Sequence, residues 1–207
     1  MTAATVPLPH PIDATDLARA NFYALLSRLF SAAPDASLLA ALADAPRMTE
    51  DGVGRLARAF DRLADASRAM DPSAATQEYS DLFIGVGKSE VNLHASHWLA
   101  GAMMERPLAN LRSELAALGM ARRPGITMVE DHLAALCETM RALVAGVDGR
   151  PPSPIAVQRR FFEGYISNWS VSCCDAIRHS DIANYYRQVA EFCATFLALE
   201  RDALAMD

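Results

Sequence analysis

Aromatic residues are scarce, at 7% of 207 positions, and β-branched residues are sparse beside alanine and leucine. Such a chain has little with which to build pleated sheet, because its apolar share of 52% comes largely from good helix formers. No uninterrupted apolar run approaches the ~18 residues of a membrane span. Met1 to Pro11 contains no lysine or arginine but three prolines. The expectation there is a short disordered lead-in over 1–14 rather than a secretory signal. Basic residues are outnumbered, 19 against 25 acidic, and the net charge of −6 argues against a nucleic-acid binder that needs many phosphate contacts. It is compatible with a basic partner. Cysteine is limited to four positions, Cys137, Cys173, Cys174 and Cys193, with no CxxC and no second pair to complete a zinc set. Three of the four fall among apolar residues on expected helices, so they read as reduced, buried thiols, which points to the cytoplasm. The sequence also lacks repeats, low-complexity tracts and any strand pattern longer than a few residues.

What is present is helical periodicity bounded by clear stops. With 21% charged residues the chain is expected to fold rather than stay disordered, and its length suffices for a sizeable core. Asp13 or Thr15 is placed to cap a helix carrying Leu17, Phe22, Leu25, Leu26 and Leu29. Pro34 and Asp35 open a short second helix that ends before Pro46. Thr49 is expected to cap a third, with Glu50 and Asp51 in its first turn and the stripe Val53, Leu56, Phe60, Leu63. Asp71-Pro72-Ser73 starts another that runs to about Phe83. Gly85 to Glu90 has loop composition, and helix resumes near Ala95. Pro107 fits the first turn of a helix bearing Leu108, Leu111, Leu115 and Leu118, closed by Gly119.

Thr127 and Glu130 form a T-x-x-E capping box, which predicts a helix beginning there and ending at Gly146. Gly149, Pro151, Pro152 and Pro154 then mark a hinge over 146–154. The next helix is read through Phe161, Phe162, Tyr165 and Trp169. The last is read with Asp181 as N-cap and Ile182, Tyr185, Val189, Phe192, Phe196 and Leu199 on its buried face. The sum is an all-α, single-domain bundle of about eight helices over residues 15–207.

Few residues carry chemistry. Glu130-Asp131-His132 would place two carboxylates and an imidazole in the first turn of a helix, where free N–H groups hold an anion or a peptide carbonyl. The plainer alternative is a capped helix start with one solvated histidine. His94 and His97 are three apart, as metal ligands on a helix would be, but nothing in the sequence brings them to His132, and no metal is expected. Gly85-Val86-Gly87-Lys88-Ser89 lacks the spacing of a phosphate loop and has no strand before it. No GxSxG is present, and no nucleophile sits in a recognised setting; no catalytic residue is assigned. Tyr79, Leu82 and Phe83 before the glycine loop, with Trp98 after it, are either core or the wall of a peptide groove beside a loop.

Several segments, in order, resemble the TorD/DmsD/NarJ family of redox-enzyme maturation chaperones. Glu78-Tyr79-Ser80-Asp81-Leu82-Phe83-Ile84-Gly85 is similar to the family's aromatic-x-x-Leu-Phe stretch followed by glycine. Ser96-His97-Trp98, leading to Pro107-Leu108-Ala109-Asn110-Leu111-Arg112 and Leu118-Gly119, resembles its serine-x-aromatic segment and Leu-Arg helix. Glu130-Asp131-His132-Leu133 matches its E-x-D-H or E-D-H signature. The stretch from Phe161-Phe162 to Trp169, then Tyr185-Tyr186 and Phe196-Leu197, is similar to its final helices. Where the family often has prolines after the glycine loop, this chain reads Lys88-Ser89-Glu90-Val91-Asn92-Leu93.

The resemblance implies a non-enzymatic cytoplasmic chaperone that binds the twin-arginine leader of a molybdopterin oxidoreductase precursor and assists cofactor insertion before export. On this reading Tyr79, Leu82, Phe83 and Trp98 hold the leader's apolar part and Glu130, Asp131 and His132 its basic part, with Gly85 and Gly87 shaping the loop between. The implied chaperone binds no stable cofactor. GTP is the one nucleotide to consider, because some relatives bind guanine nucleotides, and the oligomeric state is a monomer or a domain-swapped homodimer. The alternatives are a weakly GTP-hydrolysing protein and a regulatory scaffold without an export client.

Overall fold

Aspartates set the first helix boundaries. The computed structural model describes residues 12–48, 54–85, 87–100, 106–147 and 149–206. The expected lead-in at Met1 to Pro11, the cap at Thr49 with Glu50 and Asp51, Val53 of the third stripe, and Val86 lie outside the described residues. Asp13 accepts the Asp16 N–H at 2.7 Å and starts α1 (Ala14–Ser31), which therefore begins inside the expected lead-in. Asp35 accepts the Leu38 N–H at 2.7 Å and starts α2 (Ala36–Ala43). After α3 (Gly54–Ala69), Asp71 accepts from Ser73 and Ala74 and starts α4 (Pro72–Tyr79) with Pro72 in its first turn. In each case the carboxylate satisfies N–H groups that have no partner inside the helix.

Beyond α4 come a single π-helical turn (Ser80–Ile84), α5 (Ala95–Ala100), α6 (Arg106–Ala117), α7 (Leu133–Ala145), α8 (Ile155–Tyr165), α9 (Ser170–His179) and α10 (Tyr185–Met206). The protein is all-α, with ten α-helices and no strand among the described residues. The count exceeds the expected eight partly because the helix read through Trp169 is two. The Trp169 indole N–H donates to the Tyr165 carbonyl at 2.7 Å, so that carbonyl is engaged where a continuous helix would offer it to the Trp169 amide. The chain turns there and restarts as α9.

Two further boundaries differ from expectation. The T-x-x-E box at Thr127 does not form. Glu130 is held by arginines instead, and α7 starts at Leu133, where His132 Nδ1 accepts the Ala134 N–H at 3.1 Å. Asp181 is not the cap of the last helix. The Glu78 carboxylate, from α4, accepts the N–H groups of Asn184 at 2.8 Å, Tyr185 at 3.0 Å and Tyr186 at 2.8 Å. One buried acid thus satisfies the first donors of α10, favoured by the positive end of the helix dipole.

The bundle is organised around α10. It packs against α1, α3, α4, α8 and α9, while α1 lies along α7, α2 on α3, and α5 on α6 and α9. Phe22, Tyr23, Phe192 and Phe196 interlock edge-to-face between α1 and α10 at centroid separations of 4.9–5.4 Å. Leu17, Ile182 and Leu199, read from periodicity as core, are exposed. A buried ionic knot binds the same layers. The Arg19 guanidinium donates to both Glu200 oxygens at 2.8 and 3.0 Å and to Gln158 at 3.0 Å, and the Tyr23 hydroxyl donates to Glu200 at 3.0 Å. Each of these buried polar groups has a partner, as burial demands. All four cysteines are buried in this core, as their apolar setting predicts.

Candidate functional site

The glycine loop returns the chain to the bundle. Gly85 has φ +64, and a Cβ there would run into the Lys88 carbonyl, so the turn requires glycine. Val91 then donates to the Leu82 carbonyl at 2.9 Å, and Val91 and Leu93 bury their side chains. The extended segment 91–94 runs antiparallel beside residues 131–133. Leu133 donates to the Leu93 carbonyl at 2.8 Å, Ala95 donates to the Asp131 carbonyl at 3.0 Å, and His94 pairs with His132 across the bridge.

The two histidine-bearing segments, which nothing in the sequence connects, therefore meet. The rings of His94 and His132 lie 4.9 Å apart, nearly perpendicular. Burial, followed by His94, pushes the His132 imidazole down to about 4, and burial likewise lowers His94. Both are neutral at pH 7, and His132 is buried rather than solvated. Among the described residues no group of three His, Cys, Asp or Glu side chains is placed to hold a metal.

Each acid in the Glu130-Asp131-His132 run has its own task. Asp131 is 2% exposed, and its carboxylate accepts the Ser96 N–H at 3.0 Å at the start of α5. Glu130 accepts from the Arg112 guanidinium at 3.0 and 3.1 Å, and Arg122 stands 3.9 Å away. Partial burial opposes its ionisation, but the Arg112 hydrogen bonds prevail and hold the carboxyl below its usual range.

These neighbours face different spaces. Asp131 lines a cavity of about 450 Å³ between α5, α6 and α8, whose wall includes Leu99, Pro107, Leu111, Arg160 and Tyr165. Glu130 lines another of about 390 Å³, walled by Leu115, Met120, Ile126, Met128 and Glu138. The run is a ridge with a hollow on either side.

The aromatic residues expected to wall a groove are placed otherwise. Leu82 is fully buried. The Tyr79 hydroxyl donates to the Phe30 carbonyl at 3.1 Å, and the Phe83 ring packs on Tyr186 at 4.9 Å and Phe30 at 6.3 Å. The Trp98 indole donates to the Asn92 carbonyl at 2.8 Å. None of Tyr79, Leu82, Phe83 and Trp98 lines either hollow; Leu82 and Trp98 are hydrogen-bonded to the segment 91–94 that pairs with the ridge. The apolar lining comes instead from Met120, Ile126 and Met128, which periodicity passes over because they sit in loop. Their signal in the sequence is an apolar trio set among arginine, proline and glycine, and Ile126 is 52% exposed. Gly85 and Gly87 shape the return turn and stand outside both hollows.

The model of the nitrate reductase delta subunit family matches residues 49–175, which include the π-helical turn, the glycine loop and the acidic ridge. A solved structure of a candidate redox enzyme maturation protein from Archaeoglobus fulgidus is similar in fold, with a TM-score of 0.55, 16% identity and 99% of each chain covered. No curated protein sequence matches the chain. With the match spanning more than half its length, and with the fold and ridge that its residues build, the chain belongs to the nitrate reductase delta subunit family, the NarJ/TorD-type chaperones.

Proposed function

We propose that this chaperone binds the twin-arginine leader of a molybdopterin oxidoreductase precursor in the cytoplasm and holds back export until the cofactor is inserted. The observation that carries the reading is the hollow walled by Met120, Ile126 and Met128, whose lining also holds Glu130 and Glu138 together with Arg122 and Arg123. Flexible methionine side chains adapt to varied apolar segments, and carboxylates beside them suit a basic flank. Glu138 is half exposed and, among the described residues, its ion pair is with its helix neighbour Arg141, a surface pair that a leader arginine can replace. Asp131 and His132 act by position. Asp131 fixes α5 and His132 fixes α7, the walls of the two hollows. Tyr79, Leu82 and Phe83 support the ridge from the core, and Trp98 pins the segment that pairs with it.

Fluorescence anisotropy with a labelled twin-arginine leader tests the reading. Ile126→Asp and Glu138→Lys alter exposed side chains, so both variants are expected to keep the wild-type melting temperature and to weaken binding about tenfold or more. A leader that binds both variants as tightly as the wild type would remove this hollow from the site. Asp131→Ala is expected to lower affinity and stability together, which distinguishes a positioning residue from a contacting one.

A further inference from the structure

On the opposite pairing of helices, α3 against α10, lies a cavity of about 670 Å³ that shares no lining residue with the two hollows beside the ridge. Its chemistry is the reverse of the chain as a whole. The protein carries a net charge of −6, yet this wall presents Arg55, Arg58 and Arg62 from α3 and Arg178 from α9. Among the described residues, Glu191 and Asp202 are the acids of this lining, and Asp175 also binds Arg178. Glu191 is shared, at 2.7 Å from Arg178 and 3.7 Å from Arg62. Asp202 is engaged by Arg201 at 3.2 Å. Arg55 and Arg58 are exposed and have no ion pair among the described residues.

The floor of this cavity is apolar. Ala194, Ala198 and Leu199 of α10 line it beside Thr195, and Leu199 is 42% exposed. The arginines at 55, 58 and 62 fall on successive turns, their backbone positions spread over about 10 Å along α3. A compact polyphosphate would meet Glu191 and Asp202 as like charges. An extended ligand with carboxylates along one edge and small apolar side chains on the other meets the arginines and the alanine-leucine floor at once. We infer that this groove docks an acidic, amphipathic segment of a protein partner, laid along α3 and α10.

The probe is a labelled peptide with glutamates on one helical face and alanine and leucine on the other, measured by anisotropy against the full chain. A control peptide has lysine in place of every glutamate. The double variant Arg55→Glu/Arg58→Glu is expected to weaken the acidic peptide about tenfold or more. Leu199→Asp, which alters an exposed apolar position, is expected to do the same, and the lysine control is expected not to bind. Binding of the acidic peptide that survives both variants overturns the inference. So does binding of inorganic triphosphate that depends on Arg55 and Arg58 while the peptide does not bind, because that result describes a small-anion site.

Discussion

His132 Nδ1 can accept the Ala134 N–H only while it is unprotonated, so one imidazole links the start of α7 to pH. Its folded value of about 4 lies below the ordinary 6.5. At pH 7 both folded and unfolded chains hold the ring neutral. As pH falls below 6.5 the unfolded chain takes up a proton that the folded one refuses, and folding stability is lost down to about 4. Denaturant titrations at pH 7 and pH 5 should differ by about 2 kcal/mol from this group. His132→Asn keeps a capping acceptor without a titrating ring, so the pH-dependent loss should shrink in that variant. If it does not, the acid sensitivity lies elsewhere. His94 faces the same ring and shifts in the same direction, so it adds to the effect.

Among the elements, α10 depends on a residue that is not its own. The Glu78 carboxylate is 8% exposed and accepts three amides at the start of α10. Glu78→Ala leaves those donors buried without acceptors and should cost about 3 kcal/mol or more in chemical denaturation. Glu78→Gln keeps one acceptor oxygen and should cost less. Equal, small losses in both variants would show that water replaces the carboxylate.

This element also shows what could be read from the residues alone. The starts at Asp13, Asp35 and Asp71 and the stops at Gly119 and Gly146 were legible, because each cap acts within a few residues of itself. Asp181 was a plausible cap by the same logic, but Glu78 reaches across from α4 and no local pattern announces it. The Thr127-Glu130 box failed for a related reason, since Arg112 claims the Glu130 carboxylate through tertiary contact. The position of the acidic ridge was therefore legible and its surroundings were not. Its partner segment 91–94 and the loop methionines reach it only through folding.

At the scale of the whole molecule, α8, α9 and α10 join the rest of the chain through the segment 146–154. A hinge there would allow these helices to exchange between two copies and give a domain-swapped dimer. Among the described residues, Arg150 and Ser153 fasten this segment to the preceding helices. The Arg150 guanidinium donates to the Leu118 carbonyl at 3.2 Å and the Gly119 carbonyl at 2.8 Å, and Ser153 donates to Leu143 at 2.8 Å. Arg150→Ala frees the outer fastening, so light scattering across a concentration series should show a larger dimer fraction than in the wild type. An unchanged mass distribution would retire the hinge. The same core explains why exchange would conserve stability. The Arg19-Glu200 knot and the Glu78 cap both cross to α10, so they would re-form intact between partners.

Because Glu130 and Asp131 are adjacent in the chain, one short run borders both hollows. Through it the Arg112 ion pair of α6, the cap of α5 and the start of α7 all depend on three consecutive residues.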